Sequence, residues 1–253
     1  MDSKPVRHEP LKKILDSFWS KELGFSIRDL RKGDVKIIGV DHQIEIPPYC
    51  TLLAMKVYGG CVVAVQQGSV SEAEEALQNH TAEGVFTEEG IEVIQGLFSV
   101  SADRMTHWLH LYCDSGSVKP YRKHRARRLM PYGSDRRMCE EWTSKYPRAV
   151  GPYSYEAANP VSYGIVLDGE LASLAVVWRY GLPFWEIGVE TRPDCRGRGY
   201  AKSVVSLATE EVLAADKSAW YYLDVNPTNE ASLKVAKSVG YVEYSETLNQ
   251  KIS

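Results

Sequence analysis

The stretch "TRPDCRGRGYAKSVVSL", residues 191–207, decides how the second half of the chain is interpreted. In it Gly197 and Gly199 alternate with Arg196 and Arg198, and a helical pattern of small and apolar residues follows at once. A helix N-terminus carries unpaired backbone N–H groups and the positive end of the helix dipole. A glycine turn lets the backbone approach a bulky anion there, and arginines add charge-assisted contacts. The stretch therefore predicts a phosphate or pyrophosphate site.

Three phosphate-binding loop designs can be compared with this stretch. A Walker loop requires Lys and Ser or Thr after its glycines, but Gly199 is followed by Tyr200 and Ala201. A dinucleotide loop requires Gly or Ala three residues after the second glycine, where this chain has Lys202. An acyl-CoA pyrophosphate loop, Arg/Gln-x-x-Gly-x-Gly/Ala, is matched at every fixed position by residues 196–201. The alternative is a glycine turn that only joins a strand to a helix.

The residue pattern around the loop predicts strands alternating with helices. Strands are expected at about 162–167, 171–179, 184–190 and 218–225, with a hairpin turn at Asp168-Gly169 and a last helix ended by Gly240. Earlier segments predict a helix over 10–23, a hairpin within 50–66 around Gly59-Gly60, helices from a Ser71/Glu74 capping box and over 87–97, a strand over 106–113, and a helix that starts on a Ser-Asp cap at 134–135.

Length and composition set the general class of the protein. With 253 residues, 44% of them apolar and 25% charged, the chain fits one large or two modest globular domains. A boundary is expected near residue 119, giving an N-terminal lobe (1–119) and a second domain (120–253). The formal net charge of -3 argues against binding nucleic acid through bulk charge.

Targeting and redox features point to the cytoplasm. The first residues lack the apolar segment of a signal peptide, and no run of about 18 apolar residues predicts a membrane span. Five cysteines without a CxxC pair indicate free thiols. His107, His110 and Cys113 lie three residues apart, but their apolar neighbours favour core packing over a metal site, and no metal is expected.

A basic stretch over 119–137, "KPYRKHRARRLMPYGSDRR", has two interpretations. A solvated linker or strand edge is favoured, because charge runs usually face water. A phosphate-binding patch is the alternative.

The strand "FWEIGVE", the loop at 196–201, the turn Asn226 to Asn229 and the stop at Gly240-Tyr241 together resemble the GNAT superfamily of N-acetyltransferases. The resemblance covers about 120–253 and is specific over 184–241. It implies an α/β (α+β) fold with a mixed β-sheet flanked by helices and splayed between the strand before the loop and the strand at 218–225. Acetyl-CoA is expected in that split. Residues 1–119 resemble the extra N-terminal α+β lobe of some bacterial members.

The resemblance also implies which residues bind the cosubstrate. Backbone groups of Val189, Glu190 and Thr191 would bind the pantetheine arm and polarise the thioester carbonyl. The remaining expected contacts come from the loop and from the asparagine turn, namely Arg196, Gly197, Arg198, Gly199, Tyr200, Ala201, Asn226 and Asn229. Asn229 is also expected to cap its helix.

Acetyl transfer to an amine benefits from a general base. Glu190 is the first candidate and Glu186 the second, since residues four apart on a regular strand share a face; a solvent-facing charged strand face is the alternative. Where many members of the resembling family carry a tyrosine acid, this chain has Ala236. Tyr200, Tyr241 and Tyr244 are the tyrosines that could replace it.

The sequence thus predicts an acetyl-CoA-dependent N-acyltransferase that acts on a primary amine of a small molecule or a peptide. The alternatives are a non-catalytic acyl-CoA-binding protein and an acetyltransferase that acts on tRNA through the basic stretch. Only one strand fits after Gly240, where the resembling family has two, so the N-terminal lobe could complete the sheet. The acceptor and the oligomeric state stay open, a homodimer included.

Overall fold

A computed structural model describes residues 11–46, 50–146, 161–178, 184–215, 219–224 and 229–252. Its helices are α1 (Leu11–Glu22), α2 (Val70–Leu77), α3 (Glu88–Phe98), α4 (Gly133–Lys145), α5 (Tyr200–Ala214) and α6 (Glu230–Val239). Its strands are β1 (Val35–Val40), β2 (Glu45–Ile46), β3 (Cys50–Val57), β4 (Gly60–Gln66), β5 (Met105–Cys113), β6 (Arg127–Leu129), β7 (Val161–Leu167), β8 (Glu170–Trp178), β9 (Trp185–Thr191), β10 (Ala219–Asp224) and β11 (Val242–Lys251). Within these residues, no helix combines the length and the apolar character that crossing a membrane requires.

The chain divides into two compact units. The first contains residues 1–110, 224–227 and 244–253, and the second contains residues 111–223 and 228–243. Compact units do not by themselves establish independently folding domains, so the boundary near residue 119 stays a prediction.

The first unit is a sheet covered by two short helices. Its strands follow the order β1-β4-β3-β11-β5, and β2 pairs with the start of β3. The predicted hairpin of β3 and β4 is present, with a turn at Tyr58 and Gly59 in the left-handed region. A buried cluster that includes Leu53, Val63, Ile94 and Leu248 joins the sheet to the helices. The single strand predicted after Gly240 is β11, which pairs with β3 in this unit.

Pairing between β3 and β4 ends at Ala54 and Val63. Beyond this point β3 pairs with β2, whereas β4 continues only along β1. The two strands therefore separate, and a cavity of about 670 Å³ lies between Thr51–Leu53 and Ala64–Gln66.

The second unit contains the mixed sheet that the sequence predicts. Its strand order is β10-β9-β8-β7-β6, in which only the β9–β10 pair is parallel. The hairpin turn at Asp168-Gly169 has φ angles of 51° and 84°, both left-handed. Helix α5 packs against β8 and β9, and its buried face includes Val204, Val205 and Ala208. The α/β class and the mixed sheet are confirmed.

The sheet of the second unit splits between β9 and β10. The two strands pair only through Trp185–Glu186 and Ala219–Trp220. From Ile187 to Thr191, the edge of β9 that faces away from β8 carries no strand pairing among the described residues. This is the predicted splay, and it leaves backbone N–H and C=O groups for a ligand.

Two predicted helix starts are wrong. Helix α2 begins at Val70, so Ser71 lies inside it and makes no capping box with Glu74. Helix α4 begins at Gly133, one residue before the expected Ser-Asp cap. Asp135 does not cap its own helix. Instead, its carboxylate accepts hydrogen bonds from the Arg127 guanidinium at 2.6 and 2.7 Å and from the Met130 N–H at 2.9 Å.

Candidate functional site

The loop before α5 is shaped by two left-handed glycines. Gly197 has φ 75°, and Gly199, with φ 91°, is the N-cap residue of α5. Residues with a Cβ rarely adopt these angles, which explains both glycines. Glycine has no side chain to cap α5, and among the described residues no other side chain accepts a hydrogen bond from its first turn. The N–H groups of that turn therefore remain available to an anion.

A cavity of about 590 Å³ lies beside this loop. Four parts of the second unit line it: the end of β9, the loop with the first turn of α5, the first turns of α6, and the segment 121–123. From the predicted set the cavity collects Val189, Glu190, Thr191, Arg196, Gly197, Arg198, Gly199, Tyr200, Ala201 and Asn229. The lining residues outside that set are Tyr121, Lys123, Lys202, Ala231, Ser232, Lys234 and Val235.

Two predicted site residues are not in this cavity lining. Asn226 lies outside the described residues. Glu186 is buried, with 5% of its surface exposed, and it stands in register between Trp178 of β8 and Trp220 of β10. The structure thus separates the two glutamates by their surroundings: Glu190 faces the cavity and Glu186 is enclosed in the sheet.

Glu190 is held by the loop that follows its strand. The Arg196 guanidinium donates to Glu190 Oε1 at 2.8 Å and, through Nε, to the Thr191 carbonyl at 3.2 Å. Oε2 of Glu190 has no partner among the described residues. Arg196 therefore acts as a clamp between strand and loop, and one carboxylate oxygen stays open to the cavity.

The Thr191 hydroxyl is engaged within the sheet. It is buried and lies 2.8 Å from the Ser173 hydroxyl of β8. The backbone of Thr191 is therefore the part that suits polar contacts with a ligand. This is consistent with the backbone role that the resemblance implies for this part of β9.

Asn229 has the capping geometry expected for it. Its Oδ1 accepts from the Ser232 N–H at 3.1 Å, and the residue also lines the cavity. The cap fixes the start of α6, so the face that carries Ala231, Ser232 and Val235 meets the cavity.

The segment 121–124 runs alongside α5, antiparallel to it, so that His124 lies nearer than Tyr121 to the N-terminus of this helix. The Tyr121 N–H donates to Ser206 Oγ at 2.8 Å, and the His124 N–H donates to Ser203 Oγ at 3.2 Å. The His124 ring nitrogen Nε2 lies 2.8 Å from the Arg198 carbonyl, so this ring also fixes the glycine loop. Since a peptide unit is planar and trans, the next N–H, that of Gly199, points away from His124.

The basic stretch 119–137 has two structural roles. Tyr121 and Lys123 line the cavity, whereas Arg127–Leu129 form β6 at the edge of the sheet, as the strand-edge interpretation expects. Four arginines of this stretch have carboxylate partners, which are Glu210 for Arg122, Asp135 for Arg127, Glu211 for Arg128 and Glu140 for Arg136. The charge run itself was the sequence signal that could have identified Lys123 as a site residue.

Positive charge dominates the cavity. Five cationic side chains line it (Lys123, Arg196, Arg198, Lys202 and Lys234), and Glu190 is the one carboxylate in the lining. Together with the uncapped N-terminus of α5, this charge favours an anionic ligand.

The tyrosines considered as proton donors differ in their surroundings. Tyr200 lines the cavity, with its ring 4.4 Å from the His124 ring. The Tyr241 hydroxyl is buried 2.9 Å from Thr209 Oγ1. In the first unit the Tyr244 hydroxyl donates to Asp16 Oδ1 at 3.1 Å, and burial together with the Asp16 carboxylate raises the pKa of Tyr244. Ala236 is fully buried.

The cysteines show no sign of reactivity. All five are free and buried. Burial raises the pKa of Cys61 to about 12 and the pKa values of Cys113 and Cys139 to about 11, which disfavours their thiolates. Within the described part of the chain, no three His, Cys, Asp or Glu side chains are grouped as a metal site.

One family model matches part of the second unit. Residues 131–241 match the model of the acetyltransferase (GNAT) family. None of the curated proteins compared with the chain matches it.

Three of the solved structures that resemble the chain illustrate the similarity. A protein of Novosphingobium aromaticivorans assigned to the GNAT family is 21% identical over 59% of this chain and 66% of its own, with a TM-score of 0.45. A GCN5-related N-acetyltransferase-like protein from Streptococcus suis is 16% identical over 65% and 68%, also with 0.45. A GNAT-family acetyltransferase from Colwellia psychrerythraea is 14% identical over 81% and 80%, with 0.46. The chain thus spans just under two thirds of the first of them.

Proposed function

We propose that this chain, whose residues 131–241 match the model of the acetyltransferase (GNAT) family, transfers an acetyl group from acetyl-CoA to a primary amine. The observation that carries the proposal is the cavity at the N-terminus of α5. It brings ten of the expected cosubstrate and base residues together beside an edge of β9 that has no strand pairing among the described residues.

The two ends of the cavity suit different parts of acetyl-CoA, the pyrophosphate and the pantetheine arm. The first turn of α5 offers N–H groups at Tyr200, Ala201 and Lys202, and Arg198 adds a guanidinium, so this end suits the pyrophosphate. The unpaired edge of β9 from Ile187 to Thr191 suits the amide-rich pantetheine arm, which can hydrogen-bond to it as an added strand would.

The reaction makes two demands on the protein at the end of β9. Backbone N–H groups near Val189 would stabilise the oxyanion that develops on the thioester oxygen. Glu190 Oε2, which has no partner among the described residues, would accept the proton that the amine must release. The contact of 2.8 Å between Arg196 and Glu190 Oε1 fixes the position of this carboxylate beside the cavity.

Departure of CoA does not require a dedicated acid. A thiol has a pKa near ~8.5, so the sulfur can leave as a thiolate or take a proton from water. The buried Ala236 at the position of the expected tyrosine is compatible with this course.

Acetyl-CoA turnover tests the proposal. The protein is incubated with acetyl-CoA and a panel of small-molecule and peptide amines, and free CoA is measured. We expect turnover with at least one primary amine. At a concentration about 100-fold above Kd, acetyl-CoA should also stabilise the fold by about 2.7 kcal/mol, seen as a higher melting temperature. A protein that acetyl-CoA fails to stabilise, with NAD and ATP equally inert, would contradict the proposal.

A second candidate function is a non-catalytic acyl-CoA-binding protein. Two observations favour it: Ala236 at the acid position, and a Glu190 carboxylate that is already bonded to Arg196. Binding of acetyl-CoA without turnover of any amine in the panel would support this candidate over the enzyme.

A further inference from the structure

Three cations in the cavity have no acidic partner within the described part of the chain. Arg196 is bonded to Glu190, and Lys234 lies 3.2 Å from Glu230. Among the residues that the structure describes, no carboxylate lies within ion-pair distance of Lys123, Arg198 or Lys202. Side chains of one charge that meet in a cavity without counter-charges repel each other unless an anion is bound.

Lys123 and Lys202 belong to one wall of the cavity. The Lys202 ammonium lies 5.6 Å from the centre of the Tyr121 ring, a cation–π contact that joins α5 to the segment 121–123. The Tyr121 hydroxyl stands over the loop, 2.8 Å from the place where a Cβ on Gly199 would be. Hydrogen bonds from Tyr121 and His124 to α5 hold Lys123 beside the first turn of this helix.

CoA carries two separate phosphate groups. The pyrophosphate is matched by the N–H groups of α5 and the Arg198 guanidinium. The second group is a monophosphate on the 3′ oxygen of the ribose. The pyrophosphate is attached to the 5′ oxygen of the same ribose, so the two groups lie close together. A lysine ammonium is a point charge that suits a terminal monophosphate, and it needs no planar bidentate geometry.

We propose that Lys123 and Lys202 bind the 3′-phosphate of CoA, with the Tyr121 ring positioning Lys202. This inference rests on the proposed function and adds a selectivity to it. The protein distinguishes CoA from 3′-dephospho-CoA through two lysines outside the glycine loop, Lys123 of the segment 121–123 and Lys202 of α5. Lys123 thus gives the basic stretch 119–137 a role in ligand binding. The four arginines of this stretch that have carboxylate partners are not in the cavity lining.

Calorimetric titration of the full chain with CoA and with 3′-dephospho-CoA, at one ionic strength, tests this inference. We expect CoA to bind about 10- to 100-fold more tightly, the effect of one or two charge-assisted contacts. In the double variant Lys123→Gln/Lys202→Gln the ratio should approach one, because CoA loses affinity while 3′-dephospho-CoA does not. Arg125→Gln is the matched control, since Arg125 is an exposed cation of the same segment outside the cavity lining, and it should keep the wild-type ratio.

The possible outcomes separate this inference from the proposed function. Equal binding of both ligands by the wild type would overturn the inference alone. Equal losses for both ligands in the double variant would place the lysines on the pyrophosphate and overturn it too. If neither ligand binds the wild type, the proposed function fails, and the inference fails with it. Melting curves of each variant verify that the fold is retained.

Discussion

The two units contain cavities with similar architecture and different electrostatics. In the first unit β3 and β4 separate after Ala54 and Val63, and in the second β9 and β10 separate after two paired residues. Both cavities, of about 670 and 590 Å³, lie where a strand enters a turn that contains glycine and then a helix.

The side chains around the two cavities differ strongly. Asp41 and His42 are the titratable residues of the first cavity, which is otherwise lined by apolar residues and by hydroxyl and amide side chains, with glutamines at 43, 66, 67 and 250. The second cavity has five cations. The turns also differ, because Ser69 before α2 has φ -104° whereas Gly199 before α5 has φ 91°. A separated strand pair and a helix start are therefore not enough for an anion site; the charges and the glycine conformation supply it.

The largest expected effect comes from replacing a glycine in each turn, Gly199 before α5 and Gly68 before α2. Gly199→Asp should lower acetyl-CoA affinity at least about 100-fold. The new Cβ would meet the Tyr121 hydroxyl at 2.8 Å, φ 91° strains any residue other than glycine, and the carboxylate repels phosphate. Isothermal titration with acetyl-CoA measures the effect.

Gly68→Asp is the matched control. It places the same charge in the turn before α2, where an added Cβ would meet nothing within 4 Å. Its acetyl-CoA affinity should equal that of the wild type. Because Gly199→Asp could also disturb the local fold, Arg198→Glu serves as a second variant that keeps the glycine. Unchanged affinity in both folded variants would show that the loop does not bind the phosphates.

The acidic residues of the two cavities can be compared in the same way. Glu190→Gln should lower kcat by roughly 10²- to 10⁴-fold while acetyl-CoA affinity stays nearly intact, because the amide cannot accept the proton of the amine. Steady-state rates with one active amine and the Kd for acetyl-CoA give the two readouts.

Variants of two other carboxylates, Asp41 and Glu186, are the controls for this result. Asp41→Asn removes the acid of the first cavity and should leave kcat unchanged. Glu186→Gln should mainly change stability, because Glu186 is buried outside the second cavity lining. Full activity of Glu190→Gln, Glu186→Gln and the double variant would exclude a glutamate base on β9.

Features encoded locally could be predicted from the sequence. The β9-loop-α5 unit, the turn at Asp168-Gly169 and the end of α6 at Gly240 each depend on a short stretch with a strong residue preference, namely glycine in the left-handed region or apolar periodicity. Ten of the twelve residues proposed for the site meet in one cavity for the same reason, since most of them lie on a single strand, loop and helix.

Features that depend on distant contacts could not be predicted in this way. Tyr121 contacts Ser206 across 85 residues of sequence, and His124 contacts Ser203 across 79 residues. The local pattern of the basic stretch contains no information on these contacts. The sequence pattern misplaces the start of α4, because the Asp135 carboxylate accepts hydrogen bonds from Arg127, which lies outside this helix, and does not cap α4. The separation of β3 and β4 likewise involves a distant segment, because β2 pairs with Cys50 and Thr51 of β3, beyond the point where β4 pairs with it.

The smallest expected effect concerns the tyrosines of both units. With Ala236 at the acid position, no single change among Tyr200→Phe, Tyr241→Phe and Tyr244→Phe should lower kcat more than about tenfold, equivalent to about 1.4 kcal/mol. Tyr241 and Tyr244 donate or share hydrogen bonds inside their own units, so their replacement should cost about 1 kcal/mol or more of stability and little activity. The raised pKa of Tyr244 makes it a poorer proton donor still.

Tyr200 is the sharpest test among the three, because it alone lines the cavity. The measurement is kcat for each variant with one active amine, together with the Kd for acetyl-CoA and a melting curve. A hundredfold loss of kcat in Tyr200→Phe, with affinity and stability unchanged, would reveal a relocated tyrosine acid at the start of α5. The departing thiolate would then be protonated by the same turn that binds the pyrophosphate, and the second cavity would differ from the first in its proton chemistry as well as in its charge.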